Sequence, residues 1–370
     1  MTFDRPDGPT DVFGRHLRDL RISVTDRCNF RCPYCMPSEV YGERYEFLPK
    51  PEILTFEEIV RLASLFSRLG VRKLRLTGGE PLLRADLPKL IENLILLDGI
   101  EDIALTTNGY LLGDQAQALK DAGLSRVTVS FDSTVEDVYK MMNGRDFGTE
   151  RVLAGIAAAE DVGLDPIKIN AVVQKGVNDH TIVDLARHFK GTGQIVRFIE
   201  FMDVGTVNSW DAESVVTADQ IANAINAEFP ITRAAPSYPG EVATRWTYDD
   251  GSGEVGIISS VSEPFCGDCT RARLSTEGLL VTCLFAAGGK DLKGPMRSGA
   301  SDTELLELMT GIWSSRKDRY SELRAFQAGQ DSSATVDRDS AARTTGAPIP
   351  DGIKNLRRKK SKIEMYQIGG

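Results

Sequence analysis

Six cysteines fall into two triplets far apart in the chain: Cys28, Cys32 and Cys35 spaced C-x3-C-x2-C, and Cys266, Cys269 and Cys283 spaced C-x2-C-x13-C. Three is the informative number. A structural zinc site or a cube-shaped iron-sulfur cluster takes four ligands, so a triplet leaves one metal position for a substrate or cofactor. Both groups read as reactive centres rather than staples. The chain start is charged and lacks the apolar run of a signal peptide or membrane span, which points to a cytoplasmic protein. In that reducing setting, cysteines are more often metal ligands than disulfides.

A formal net charge of −9 over 370 residues disfavours a bulk nucleic-acid or membrane-surface binder and still permits a local basic pocket. Strand-like runs at 20–24, 71–76, 102–106, 126–130, 167–173 and 195–201 alternate with helical patterns. Thr55 and Glu58 form a capping-box pattern before a helix whose apolar face is Ile59, Leu62, Ala63, Phe66 and Leu69. Asp86 reads as the cap of the next, with Leu87, Leu90, Ile91, Leu94 and Ile95 inward. Helices between strands force parallel pairing, and six such units fall short of the eight in a full barrel. The expected fold is α/β: a partial (βα)6 TIM-like barrel over residues 1–210, closed by a smaller α+β domain over 211–328. Residues 329–370 read as a flexible segment and a Gly-Gly tail, residues 329–353 being polar and low in apolar content.

Strand parity adds a chemical constraint. Side chains alternate between faces, so Leu20, Ile22 and Val24 oppose Arg21, and Leu74 and Leu76 oppose Lys73 and Arg75. Likewise Lys168 and Asn170 oppose Ile167, Ile169 and Ala171, and Arg197 opposes Val196 and Phe198. An antiparallel sheet with one wet face would merely solvate these cations. In a barrel they line the interior, where unpaired charge is costly and a polyanion must fill the space.

The segment DRCNFRCPYCMP, with Tyr34 between its last two cysteines, resembles the radical S-adenosylmethionine (SAM) superfamily, as does the Gly-Gly-Glu-Pro turn after the second strand. The second triplet with Arg271-Ala272-Arg273, the runs LRLTGGEPLLR, LTTNG, VSFD, KINAVVQKGVND and RFIEFMDVG, and the closing Gly369-Gly370 narrow this. Together they resemble the GTP 3′,8-cyclase (molybdenum cofactor biosynthesis protein A) family. The polar stretch before the tail is longer than is usual there.

That resemblance implies two 4Fe-4S clusters, on Cys28, Cys32 and Cys35 and on Cys266, Cys269 and Cys283. It implies SAM contacts from Tyr34, Gly79, Ser130 and Met202, with Gly79 freeing backbone for the ligand. GTP is implied at Arg21, Lys73, Arg75, Thr106, Lys168, Arg197, Arg271 and Arg273, its guanine against the second cluster. A 5′-deoxyadenosyl radical would take hydrogen from ribose C3′, and the carbon radical would attack guanine C8. The product would be (8S)-3′,8-cyclo-7,8-dihydroguanosine 5′-triphosphate, the first intermediate of molybdenum cofactor synthesis. Implied partners are a flavodoxin- or ferredoxin-type reductant, a downstream cyclic pyranopterin monophosphate synthase and a second copy in a homodimer, with no membrane or nucleic acid. Gly369 and Gly370 would reach the active site, so their removal should spare folding and abolish turnover.

Three other classes remain to be separated. A peptide-modifying radical SAM enzyme would not need the cationic strand faces. An electron carrier would not cleave SAM under dithionite, and a zinc-dependent nucleic-acid binder would hold no acid-labile sulfide. His16, His180 and His188 read as surface or packing residues, and the basic run at 357–360 as a solvated segment.

Overall fold

The computed structural model describes residues 8–238, 240–323 and 363–369. The polar stretch, the basic run at 357–360 and Gly370 lie outside them. Strands β1 (Asp19–Ser23), β2 (Lys73–Thr77), β3 (Asp102–Thr107), β4 (Arg126–Ser130), β5 (Lys168–Val173) and β6 (Ile195–Glu200) pair in sequence order, all parallel. Helices α1 (Phe56–Arg68), α2 (Leu87–Ile95), α3 (Leu112–Asp121), α4 (Glu136–Asn143), α5 (Glu150–Asp161) and α6 (Ile182–Phe189) occupy the connections. The expected alternation is thus present, as a mixed α/β fold around a large parallel sheet.

Each unit follows from local chemistry. Thr55 Oγ1 accepts from the Glu58 N–H at 3.2 Å, and Glu58 Oε2 accepts from the Thr55 N–H at 2.8 Å, closing the capping box. The expected apolar face of α1 is buried. Asp86 departs from expectation. Its backbone is left-handed (φ 61°), so its carboxylate makes no cap and instead meets Lys89 Nζ at 2.9 Å. Ile95, the last residue of α2, is 38% exposed while Leu87, Leu90, Ile91 and Leu94 are buried.

After β6 the chain adds strands to both edges of this sheet. Following α7 (Ala218–Glu228), β7 (Ile231–Ala234), β8 (Thr244–Tyr248) and β9 (Glu254–Ile258) extend it beyond β6, with β9 parallel to β6. Beyond β1 lie β10 (Arg271–Leu274), β11 (Leu279–Val281) and β12 (Lys290–Asp291). Helices α8 (Lys293–Arg297), α9 (Asp302–Ser314) and α10 (Met365–Ile368) follow among the described residues. None of the described helices is long and apolar enough to cross a membrane.

Register confirms the parity argument. Arg21 stands opposite Arg75 on one side and Arg273 on the other, and Arg197 is opposite Asn170 and Gly256. Leu20, Ile22, Leu74, Leu76, Ile169, Val196 and Phe198 point the other way, into the main core.

Candidate functional site

The loop after β1 is pinned before it holds anything. Cys35 and Met36 N–H groups donate to the Cys32 carbonyl at 3.0 and 2.8 Å. Arg31 Nη1 donates to the carbonyls of Cys28 and Phe30, both at 2.7 Å, while Nε donates to that of Tyr41 at 2.6 Å. The Phe30 N–H lies 3.4 Å from Cys28 Sγ, and Tyr34 donates its hydroxyl to Asp132 Oδ2 at 2.8 Å. Burial, followed by the charge of Glu80, pushes the Cys28 thiol up to about 12. Cys32 and Cys35 are also raised, first by burial, with further repulsion from neighbouring thiolates and carboxylates. Three clustered thiols that resist ionising alone suit a cationic metal group, which binds thiolate and reverses that penalty.

The glycines after β2 let two loops approach closely. A Cβ on Gly78 would lie 2.4 Å from the Thr25 carbonyl oxygen, and one on Gly79 would lie 2.2 Å from that of Arg27. The Gly79 and Glu80 N–H groups donate to these same oxygens at 2.8 and 2.7 Å. Missing side chains therefore let this turn pack against the cysteine loop. Buried Glu80 accepts from the Leu82 N–H, Thr107 Oγ1 and Asn108 N–H at 3.0, 2.7 and 2.7 Å. Ser130 and Met202, at the ends of β4 and β6, lie at the same end of the parallel sheet as both loops.

On the face opposite the helices, a cavity is lined by Arg21, Lys73, Arg75, Thr106, Lys168, Arg197, Arg271, Arg273 and Met202, together with Cys266, Cys269 and Cys283. The first triplet is not part of this wall. Burial pushes Arg75 down to about 10, Arg197 to about 9, Arg273 to about 10 and Lys168 to about 8, and neighbouring cations add to each shift. Arg21 is held well below its ordinary value, first by burial and then by Arg273, Arg75, Arg271 and Arg197. Mutual repulsion on this scale matches a site built for a polyanion.

Individual contacts sort these cations. Arg75 Nη1 donates to Thr106 Oγ1 and Thr128 Oγ1, both at 3.0 Å, and Arg197 Nε donates to Asn170 Oδ1 at 3.0 Å. Lys73 Nζ sits 4.2 Å from the Tyr238 ring centroid. Arg126 also reaches the cavity, paired with Asp102 through two or more contacts. Sequence reading missed Arg126 and Tyr238. Parity along β4 carries Arg126 on the same face as Thr128; nothing local signals Tyr238, which arrives from the loop between β7 and β8.

In the second triplet one thiol, Cys269, is shifted in the direction opposite to the first triplet. Burial opposes ionisation of Cys269, but Arg271 and then Arg316 outweigh it and push the thiol down to about 6. Arg271 Nη2 and Arg316 Nη2 lie 3.6 and 3.2 Å from Cys269 Sγ. Cys283 is pushed up to about 11, mainly by burial. Among the described residues, no three His, Cys, Asp or Glu side chains converge on a single-ion position. Cys32 still feels the charge of Cys28 and Cys35, and Cys283 that of Cys269, while Cys266 lines the same cavity as Cys269 and Cys283; three thiolates sharing one site suit a multi-iron group.

The C-terminal segment bridges the two regions. Glu364 Oε1 accepts from the Thr206 N–H and hydroxyl at 3.0 and 2.7 Å, and the Tyr366 and Tyr45 hydroxyls are 2.8 Å apart. Tyr366 packs with Met36 and Tyr41 beside Cys28 and Cys35. Arg273 Nη1 then donates to the carbonyls of Ile368 and Gly369.

A Radical SAM superfamily model matches residues 22–189, and a Molybdenum Cofactor Synthesis C model matches residues 194–322. The chain is 51% identical over 364 residues to a GTP 3′,8-cyclase of Acidothermus cellulolyticus, spanning 97% of this chain and 98% of that protein. It is 52% identical over 315 residues to a GTP 3′,8-cyclase of Xanthomonas campestris, spanning 85% and 92%. The solved structure of Streptococcus suis SuiB bound to S-adenosylmethionine is similar in fold, with a TM-score of 0.56 at 14% identity over 84% of this chain and 68% of that one. The chain therefore belongs to the GTP 3′,8-cyclase family of radical SAM enzymes.

Proposed function

We propose that this enzyme converts GTP to (8S)-3′,8-cyclo-7,8-dihydroguanosine 5′-triphosphate, opening molybdenum cofactor synthesis. The observation that carries this reading is one cavity in which seven cations, Arg21, Lys73, Arg75, Lys168, Arg197, Arg271 and Arg273, share a wall with the second cysteine triplet. Planar guanidinium forks suit phosphate oxygens and lose their mutual repulsion when an anion arrives. Thr106 and Thr128 aim the Arg75 fork, and Asn170 aims Arg197. Cys266, Cys269 and Cys283 would hold a second 4Fe-4S cluster on the part of the wall that takes the guanine base.

Cys28, Cys32 and Cys35 would hold the first 4Fe-4S cluster, which together with SAM supplies the 5′-deoxyadenosyl radical that takes the C3′ hydrogen. Tyr34, Gly79, Ser130 and Met202 would bound the SAM pocket, Gly79 by fixing the cysteine loop. Arg273 and the tail of Gly369 and Gly370 would shield that pocket from water. In this reading residues 1–210 are a partial (βα)6 barrel, 211–328 a C-terminal domain and 329–370 a segment carrying the tail. A cytoplasmic homodimer served by a flavodoxin- or ferredoxin-type reductant, and feeding cyclic pyranopterin monophosphate synthase, completes it.

Product and substrate are isomers: C3′ loses one hydrogen atom and the closed ring regains one electron and one proton. Mass alone therefore cannot identify the product. The test is anaerobic cluster reconstitution, incubation with GTP, SAM and dithionite, and detection of a C3′–C8 bond by NMR. Release of 5′-deoxyadenosine with unchanged GTP would refute the reading.

A further inference from the structure

Behind the second triplet, three buried charges converge from distant parts of the chain. A bridge between Thr10 and His16 closes the short turn that presents Asp11 and Arg15. Asp11 Oδ2 accepts from Arg15 Nε at 2.7 Å and faces Arg316 Nη1 at 3.3 Å; the three side chains are 0%, 4% and 2% exposed. Arg15 Nη1 donates to the Cys266 carbonyl at 2.6 Å and to that of Asp318 at 3.1 Å. Arg316 Nη1 donates to the Cys269 carbonyl at 2.8 Å, and Nη2 reaches Cys269 Sγ at 3.2 Å. Arg316 Nε faces Asp318 Oδ2 at 3.4 Å, and its guanidinium lies 4.7 Å from the Trp313 ring.

Stability alone does not account for this arrangement. Well-packed apolar side chains hold a turn at least as well as buried ions, whose desolvation is expensive. Asp11 and Asp318 balance the two guanidiniums in number, yet both lie at other edges of the Arg316 fork, which leaves its Nη2 directed at sulfur. Hydrogen bonds to cysteine sulfur and nearby charge are levers on iron-sulfur potentials.

We propose that Asp11, Arg15 and Arg316 form a positioning clamp for the second cysteine triplet, in which Arg316 holds Cys269 sulfur by a hydrogen bond that sets the reduction potential of the iron-sulfur group bound there. The proposal rests on the second triplet holding such a group. Arg15 fixes the turn by its backbone, Arg316 acts on the sulfur, and Asp11 both orients and tempers the two cations. All three are positioning residues that work through the cysteines.

The experiment uses the full-length chain with Cys28, Cys32 and Cys35 replaced by alanine, reconstituted anaerobically so that only the second triplet loads, and titrated by EPR against potential. Arg316→Gln removes a cation and a sulfur hydrogen bond, which lowers the potential. The expected change is roughly tenfold in the reduced-to-oxidised ratio, about 59 mV for one electron. Asp11→Asn removes the tempering anion and raises the potential. Opposite signs at comparable iron content support the clamp; a purely structural role moves both variants alike, through iron loss and lower melting temperature. Unchanged potentials, or shifts of one sign, overturn it. Should Arg316→Gln fail to fold, Asp11→Asn decides by the sign of its shift. A parent chain that loads no iron at the second triplet also overturns the proposal, through the underlying reading, and is distinguishable because no clamp residue has yet been changed.

Discussion

Arg273 donates its guanidinium to the Gly369 carbonyl across 96 residues of sequence, so one cation of the cavity wall is also the anchor of the C-terminal tail. Its other contact, to the Ile368 carbonyl at 3.1 Å, fixes the direction from which the tail arrives. A single guanidinium thus couples the cationic wall to the segment over the first cysteine loop.

Gly369 is where that coupling is least tolerant. Its backbone is left-handed (φ 66°), and an added Cβ would fall 2.0 Å from Thr77 Cγ2. Strain of this kind costs about 1–2 kcal/mol before the clash is counted. Gly369→Ala should displace the tail and lower turnover by roughly tenfold or more, as each 1.36 kcal/mol implies. Melting temperature should change little, because the four-residue helix and tail, rather than strand β2, give way to relieve the contact with Thr77. Wild-type product formation by the variant would refute the assignment.

With GTP seated as proposed, Lys168 should make its binding a proton-linked event. Burial, then Arg197, Arg126 and Arg75, push it down to about 8. An unfolded lysine keeps its proton to about 10.4, so the unfolded chain holds more protons between these values and this residue's contribution to stability rises with pH there. Binding has the opposite sign: an anion beside the amine raises its pKa, so binding takes up protons near and above about pH 8 and weakens as pH climbs further. Calorimetry in two buffers of different ionisation enthalpy reads the uptake. Equal apparent enthalpies would sink the prediction, and Lys168→Met should abolish the difference.

The two threonines that hold Arg75 predict an order of effects. Arg75→Lys loses the fork as well as both aligned bonds, and hydrogen bonds to a charged partner contribute about 1.5–3 kcal/mol. GTP affinity should fall roughly 10- to 150-fold. Thr106→Val removes one of two orienting acceptors and should cost about 1 kcal/mol, less than tenfold in Kd. Equilibrium binding of GTP to both variants checks the order, and the reverse order would contradict a fork aimed by Thr106.

What was legible in the sequence was whatever repeats along a strand. Two-residue periodicity placed Arg21, Arg75, Lys168 and Arg197 on one face, and the parallel registers bear this out. Applied to β4, the same rule would have added Arg126. Asp86 was misread because a capping residue is recognised by type, whereas its function depends on backbone angle. Arg316 and Tyr238 were illegible for a different reason: their partners, Cys269 and Lys73, lie on remote segments joined only by the closed fold.

Gly79 offers the sharpest separation between a packing role and a ligand contact. Its backbone is unstrained, yet a Cβ there would press on the Arg27 carbonyl at 2.2 Å, one residue before Cys28. The Arg27 carbonyl also accepts from the Glu80 N–H, so the cysteine loop cannot retreat without losing that bond. Gly79→Ala should therefore misplace the first triplet and lose its share of iron and sulfide. The second triplet, carried by the loop before β10 and the end of β11, and the cationic wall, set within the strands rather than in the loops after them, should load iron and bind GTP as before. Iron and sulfide per chain, measured beside GTP affinity after anaerobic reconstitution, decide the matter. Full iron content with SAM binding alone impaired would mean that Gly79 acts by facing the ligand rather than by seating the loop.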